Sequence, residues 1–164
     1  MVRDEVAQAL KITEGSPNSS SGYYSKAASS GDSSTAASSG DYSKAASSGN
    51  SSTAASSGDY STAASSGDSS KAASSGDYST AASSGNSSKA ASSGYYSKAA
   101  ANGKNTIAMV AGLNGHAKAG ENGCIALCWH DGKRNRIVTG YVGENIKADT
   151  LYCAKDGKLV AVET

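Results

Sequence analysis

The sequence predicts an all-β chain: a two-sided parallel β-solenoid, or β-roll, of 18 residues per coil, closed by a small antiparallel C-terminal β cap. Three observations lead there. Glycine recurs at every ninth position from Gly22 to Gly112. The intervening unit, Gly-(Asp/Asn/Tyr)-(Tyr/Ser)-Ser-(Lys/Thr)-Ala-Ala-Ser-Ser, holds its frame without insertion through most of that span. The residue two after each glycine alternates strictly, from Tyr24 and Ser33 to Ser87 and Tyr96, so the full repeat is two units long. A disordered Ser/Gly/Ala tail would need only the composition, whereas a stack of coils also needs the spacing.

Residues 1–20 read as a leader. Val6, Ala7, Ala9 and Leu10 suit one or two helical turns, Leu10–Thr13 is strand-like, and Gly15-Ser16-Pro17-Asn18 is a turn or linker. Such a leader either caps the first coil or frays as a tail.

Residues 21–112 form the array. Side chains alternate across a strand. Lysine in a narrow interior is costly, so the Lys/Thr position four after glycine faces outward. By the same parity the Tyr/Ser position two after glycine faces outward as well. Ser and Ala at three and five after glycine then line the interior, as Ser25 and Ala27 do in the first unit. Interior serine hydroxyls need partners in neighbouring coils. Glycine turns each corner, helped by Asp, Asn and Ser. An 18-residue coil places Tyr24, Tyr42, Tyr60, Tyr78 and Tyr96 on one side and the matching serines on the other; a 27-residue, three-sided coil would scatter them. On the serine side Asp32, Asn50, Asp68 and Asn86 alternate, which separates like charges in stacked coils. On the tyrosine side Asp41, Asp59 and Asp77 stack directly, and charge separation does not explain them.

Residues 113–164 are the expected cap. Turn signals at Asp131-Gly132, Gly143-Glu144-Asn145 and Asp156-Gly157 separate strand-like runs at Cys124–His130, Arg136–Val142, Lys147–Ala154 and Lys158–Val162. The last two form a hairpin. The expected plug for the final coil is Ile107, Met109, Val110, Ile125, Leu127 and Trp129, covering an edge that would otherwise stack without end.

The totals exclude several functions. The net charge is +1, with 15 basic and 14 acidic residues, so nothing draws the chain towards nucleic acid or an anionic membrane. No stretch approaches the ~20 apolar residues of a membrane span. The first residues lack the apolar core of a secretory signal, and three cysteines in the last third fit a reducing compartment; a cytoplasmic location is expected. Cys124, Cys128, His130 and Cys153 are residue types that hold zinc. Cys124 and Cys128 lie about 13 Å apart along one strand, too far for one site, which leaves Cys128, His130 and Cys153 as a set that could converge across strands. Small half-buried cysteines are the simpler reading, and no metal or cofactor is expected. A single glycine and one Asp or Asn per turn do not make a calcium-binding roll. No nucleophile elbow accompanies His116 or His130, so no catalytic activity is expected. Lys133, Arg134 and Arg136 read as a solvated hairpin tip.

The units of the form Ser57-Gly58-Asp59-Tyr60-Ser61-Thr62-Ala63-Ala64-Ser65-Ser66-Gly67 run into Gly115-His116-Ala117-Lys118-Ala119-Gly120. The segments Ile146–Tyr152 and Lys155-Asp156-Gly157-Lys158 follow. Over residues 21–164 this resembles an uncharacterised family of bacteriophage and bacterial proteins that pairs a nonapeptide solenoid with a short C-terminal β domain. The resemblance implies a phage or prophage origin, in a host cytoplasm or a virion, and no established activity. The units resemble more weakly the Gly/Ser/Ala β-rolls of trimeric adhesin heads, which are exported and use longer repeats.

The tyrosine row Tyr24, Tyr42, Tyr60, Tyr78 and Tyr96, flanked by Ala28, Ala46, Ala64, Ala82 and Ala100, is the candidate interaction surface. The function expected is a structural or scaffold protein that self-associates into a homo-oligomer through this row. A self-stacking ladder that only stiffens the roll is the plainer reading of the same residues. Binding of a flat ligand, glycan or ice, by a solenoid face is the alternative, although Lys71 and Lys89 interrupt the threonine row begun by Thr35 and Thr53. A phage factor directed against host defence is a third reading, resting on the resemblance.

Overall fold

The structure, a computed structural model, describes residues 12–14 and 18–162. The helical turn expected over Val6–Leu10 and most of the turn at Gly15–Asn18 lie outside the described residues. Strands β1 (Ile12–Glu14) and β2 (Asn18–Ser21) open the array. Then come β3 (Lys26–Ser30), β4 (Thr35–Ser39), β5 (Lys44–Ser48), β6 (Thr53–Ser57) and β7 (Thr62–Ser66). The array goes on through β8 (Lys71–Ser75), β9 (Thr80–Ser84), β10 (Lys89–Ser92) and β11 (Lys98–Asn102). The last six are β12 (Ile107–Val110), β13 (His116–Ala119), β14 (Cys124–His130), β15 (Asn135–Tyr141), β16 (Tyr152–Lys155) and β17 (Lys158–Ala161).

Among the described residues there is no helix, and the strands form two sheets. The nine-stranded sheet runs β1-β3-β5-β7-β9-β11-β13-β16-β17, and the eight-stranded sheet runs β2-β4-β6-β8-β10-β12-β14-β15. Each strand of the array pairs in parallel with the strand 18 residues on, in register: Lys26 meets Lys44, and Ala27 meets Ala45. The chain is therefore the expected two-sided solenoid, of about six turns. Parallel pairing runs past residue 112, through β11–β13 and β12–β14.

The reason lies in the size of the interior side chains. Along each strand burial alternates, with the first Ala and the first Ser of Lys/Thr-Ala-Ala-Ser-Ser facing in. With only Ala and Ser between them the two sheets close on each other. The interior serines are largely hydrogen-bonded. Ser34 Oγ donates to the Ser48 carbonyl at 3.0 Å, Ser56 Oγ to Ser61 Oγ at 3.2 Å, and Ser74 and Ser92, one coil apart, share a bond of 3.0 Å. At the first coil Asn18 replaces the usual Ala; it is buried, and its Nδ2 donates to the Ala28 carbonyl of the opposite sheet at 2.8 Å.

Each corner is a four-residue turn. The Ser25 N–H donates to the Gly22 carbonyl at 3.1 Å, and the third residue has positive φ, the type II pattern. The glycines from Gly22 to Gly85 themselves sit at φ between 102° and 119°. They also answer a contact between coils: a Cβ on Gly40 would lie 2.5 Å from the Gly22 carbonyl oxygen.

The turns correct one expectation. The Tyr/Ser position is not an outward strand position but the third residue of the turn, with φ from 53° to 61° at the five tyrosines. Period-two parity does not extend into a turn, so the rings stand along an edge of the solenoid. Ala28, Ala46, Ala64 and Ala82 do not flank them; they lie mid-strand and line a groove on the nine-stranded face.

The C-terminal end corrects two more. The cap is not one antiparallel sheet but two hairpins, one on each sheet: β15 pairs with β14, while β16 and β17 extend from β13. Val110, Ile125 and Leu127 are buried as expected, joined by Ile146 and Tyr152, but Ile107 and Met109 point outward and are exposed. They occupy positions four and six of the unit starting at Gly103, both outward slots. Trp129 is half-buried, close against Gly157.

Candidate interaction surfaces

The edge formed by turns into the nine-stranded sheet carries the tyrosines. Tyr42, Tyr60, Tyr78 and Tyr96 stack with centroids 5.0–5.3 Å apart and planes within 13° of parallel. Tyr24 continues the pile at 5.2 Å, tilted by 35°. Two further residues, singled out by nothing in the periodicity, brace its ends. Tyr23 and Tyr95 replace the usual Asp and meet Tyr24 and Tyr96 edge-on at 4.6 and 4.5 Å. Asn114 Nδ2 donates to the Tyr95 hydroxyl at 2.7 Å. The five ladder rings stay 39% to 60% exposed, so each presents an edge and a hydroxyl to solvent while its faces meet its neighbours.

A left-handed φ costs a non-glycine L-residue roughly 1–2 kcal/mol. In the following turns the same position is filled by Asn105, Asn114 and Asn122, a residue that tolerates this conformation. The array keeps tyrosine there instead. Each stacked pair returns about 0.5–1.5 kcal/mol beyond area burial, comparable to the strain.

Beside the rings runs a ladder of carboxylates, and its geometry supplies the reason that charge separation lacked. Asp41 Oδ1 accepts the Asp59 backbone N–H at 3.1 Å, Asp59 Oδ1 accepts that of Asp77 at 2.8 Å, and Asp77 Oδ1 accepts that of Tyr95 at 2.8 Å. On the opposite edge Asp32, Asn50, Asp68 and Asn86 do the same for the coil above each. The requirement is an acceptor oxygen one atom beyond Cβ-Cγ, which Asp and Asn both provide.

The two broad faces differ. On the nine-stranded face the outward row begun by Lys26 ends in Lys98 and His116, and the middle row ends in Lys118. Burial, and then Lys98, hold the His116 imidazole below its ordinary value of 6.5. On the eight-stranded face a groove of about 860 Å³ runs from Ser19 to Met109 over the alanine row. At and beyond its end stand exposed Met109, Ile107, Ile137 and Tyr141.

The remaining candidates disperse. Cys124, Cys128 and His130 lie on β14 of the eight-stranded sheet and Cys153 on β16 of the other. Among the described residues no group of three His, Cys, Asp or Glu side chains could hold a metal ion. The basic cluster folds around Asp131, which accepts the Lys133 and Arg134 N–H groups at 2.8 Å each and pairs with Arg136. Those bonds, led by Arg134, hold its carboxyl down to about 2.

No family model, no curated protein and no solved structure matches the chain. Its function has to be argued from its own geometry.

Proposed function

We propose that this protein is a structural scaffold: a non-catalytic rod of stacked coils whose copies associate through the tyrosine edge. One observation supports this above the others. Seven of the nine tyrosines stand on a single edge, and five occupy a backbone conformation that suits asparagine better. Tyrosine supplies rigid, amphipathic contact area at low entropic cost, and it is enriched at interfaces. A row of ring edges and hydroxyls repeating at the coil spacing offers the same contact at every coil. The tail motifs, with their likeness to phage-encoded repeat chains, support placing the rod in an infected host cytoplasm or a virion.

The test is the mass of the intact protein. The pair Tyr60→Lys and Tyr78→Lys puts charge into the centre of the edge without touching the Ala/Ser interior. Light scattering is expected to give at least a twofold lower mass than wild type, with the β-type circular dichroism retained. An unchanged mass would remove the edge as the contact. A flat glycan lying along the ring edges is the second reading, favoured by the exposed hydroxyl row; a glycan array separates it from self-association.

A further inference from the structure

We propose that the outer face of the eight-stranded sheet is a second contact surface, closed by the same face of another copy, with the two rods side by side and pointing the same way. This shares with the scaffold reading the premise that copies meet, and takes nothing from the tyrosine edge.

The face changes character along its length. Its outward side chains form three rows, which in the coil of β8 are Lys71, Ala73 and Ser75. In the coil of β12 the first two become Ile107 and Met109, followed by Ala111. On β14 the same positions hold half-buried Cys124 and Ala126 and buried Cys128, and on β15 the residues opposite these are exposed Tyr141, Thr139 and Ile137. Small outward residues thus give way to a large exposed apolar patch at the capped end. Contiguous patches of that kind on an otherwise polar surface mark contact sites. The corresponding end of the nine-stranded face carries Lys98, His116 and Lys118 on β11 and β13, with a single large exposed apolar side chain, Val160, beyond them on β17. The patch therefore belongs to one face and does not follow from the cap alone.

The occupant follows from area and charge. Eight strands spaced ~4.8 Å apart, each about five residues long at ~3.3 Å per residue, give a face of roughly 550 Å². Two such faces bury about 1,100 Å², enough to pass the ~1,000 Å² expected of a specific interface. Along the middle row from Ala37 to Ala91 no side chain is larger than a methyl group, so nothing there holds a second sheet away. Among the described residues the three outward rows from β2 to β15 carry two formal charges, Lys71 and Lys89, and no acidic side chain; exposed Arg136 of β15 lies off these rows, opposite Trp129. An acidic partner on these rows would have only the two lysines to read.

Orientation is fixed by the same residues. If the rods pointed in opposite directions, the coil order would reverse and first row would meet first row. Lys71 would then face the partner's Lys89, and Ile137 would face the partner's Ser21 on β2. If the rods point the same way, the first row meets the third row of the same coil. Lys71 then faces the partner's Ser75, Tyr141 faces the partner's Ile137, and Met109 faces the partner's Met109. Of the two arrangements that overlap the full face, this one separates the lysines and joins the apolar patches.

The middle row lies on the two-fold axis, so a thiol there meets its own copy. In full-length protein with Cys124, Cys128 and Cys153 changed to Ser, Ala73→Cys is expected to form a disulfide-linked dimer on oxidation with diamide. Ala46→Cys, exposed on the other face, should do so several-fold less. Met109→Lys, at an exposed position, should lower the mass by light scattering. Equal cross-linking of the two cysteine variants, or an unchanged mass for Met109→Lys, would overturn the proposal. The tyrosine variant keeps the two readings apart. Loss of mass there with no Ala73→Cys dimer leaves the edge and removes the face. A persistent Ala73→Cys dimer with unchanged mass for the tyrosine variant leaves the face and removes the edge. A monomeric wild type removes both.

Discussion

Asp59 shows how a single side chain reads out the stacking. Its carboxylate accepts the Asp77 backbone N–H, while its own N–H donates to Asp41 one coil below. The pattern Asp-Asn-Asp-Asn on the other edge looks, in sequence, like relief of charge repulsion. In the structure both residue types make the same bond, and the charge is incidental to it. Asp59→Asn should therefore leave stability nearly unchanged. Asp59→Ala, which leaves the Asp77 N–H to solvent, should cost about 1 kcal/mol, the net worth of an ordinary hydrogen bond. Urea titration of both variants beside wild type checks this; equal losses would show that charge, not acceptance, is what counts. The turn tyrosines carry the complementary lesson. Their stacking is legible in the alternation of Tyr and Ser, but their place on an edge is not, because strand parity does not carry through turn residues.

At the scale of the strand, the nine-residue frame carries nearly all the information. Lys or Thr out, Ala in, Ala out and Ser in can be read from any one unit, and the 18-residue register follows from the alternation at position two. The frame also assigns Ile107 and Met109 outward, four and six residues after Gly103. Their apolarity suggests a plug, and the slot prevails because Ala108 and Val110 of the same strand already face inward and side chains alternate. What the sequence does not expose is the split of the cap. Turn signals mark both hairpins, but nothing local tells which sheet each one joins. The β16–β17 hairpin covers β13, whose N–H and C=O groups would otherwise line an open edge. Truncation after Asp149 should therefore lower the melting temperature, by about 2–4 °C for each kcal/mol lost. It should also produce large particles in light scattering at concentrations where the full chain shows none. A truncated chain no more prone to growth than the full one would mean that β13 is protected by something other than its hairpin.

At the scale of the molecule, the decisive quantity is the number of units per coil. Strict alternation at position two makes it two, and the paired sheets bear this out. Deleting Gly58–Ser75, one whole coil, should keep every later residue in its sheet and shift the melting temperature by only about 2–4 °C. Deleting Gly58–Ser66, half a coil, moves all that follows to the opposite side and breaks the ring pile between Tyr42 and Tyr78. Near-ultraviolet circular dichroism and thermal unfolding should separate the two deletions clearly; identical behaviour would contradict a two-unit coil. The direction of the bonds between coils has a mechanical consequence. They run along the long axis, in the turns as well as in the strands. Tension applied to the two ends loads these layers in series, so the weakest gives way alone while the others hold. Each failure pays out 18 residues, about 60 Å of slack at ~3.4 Å per residue. A pulled stack of these coils lengthens in equal steps instead of snapping.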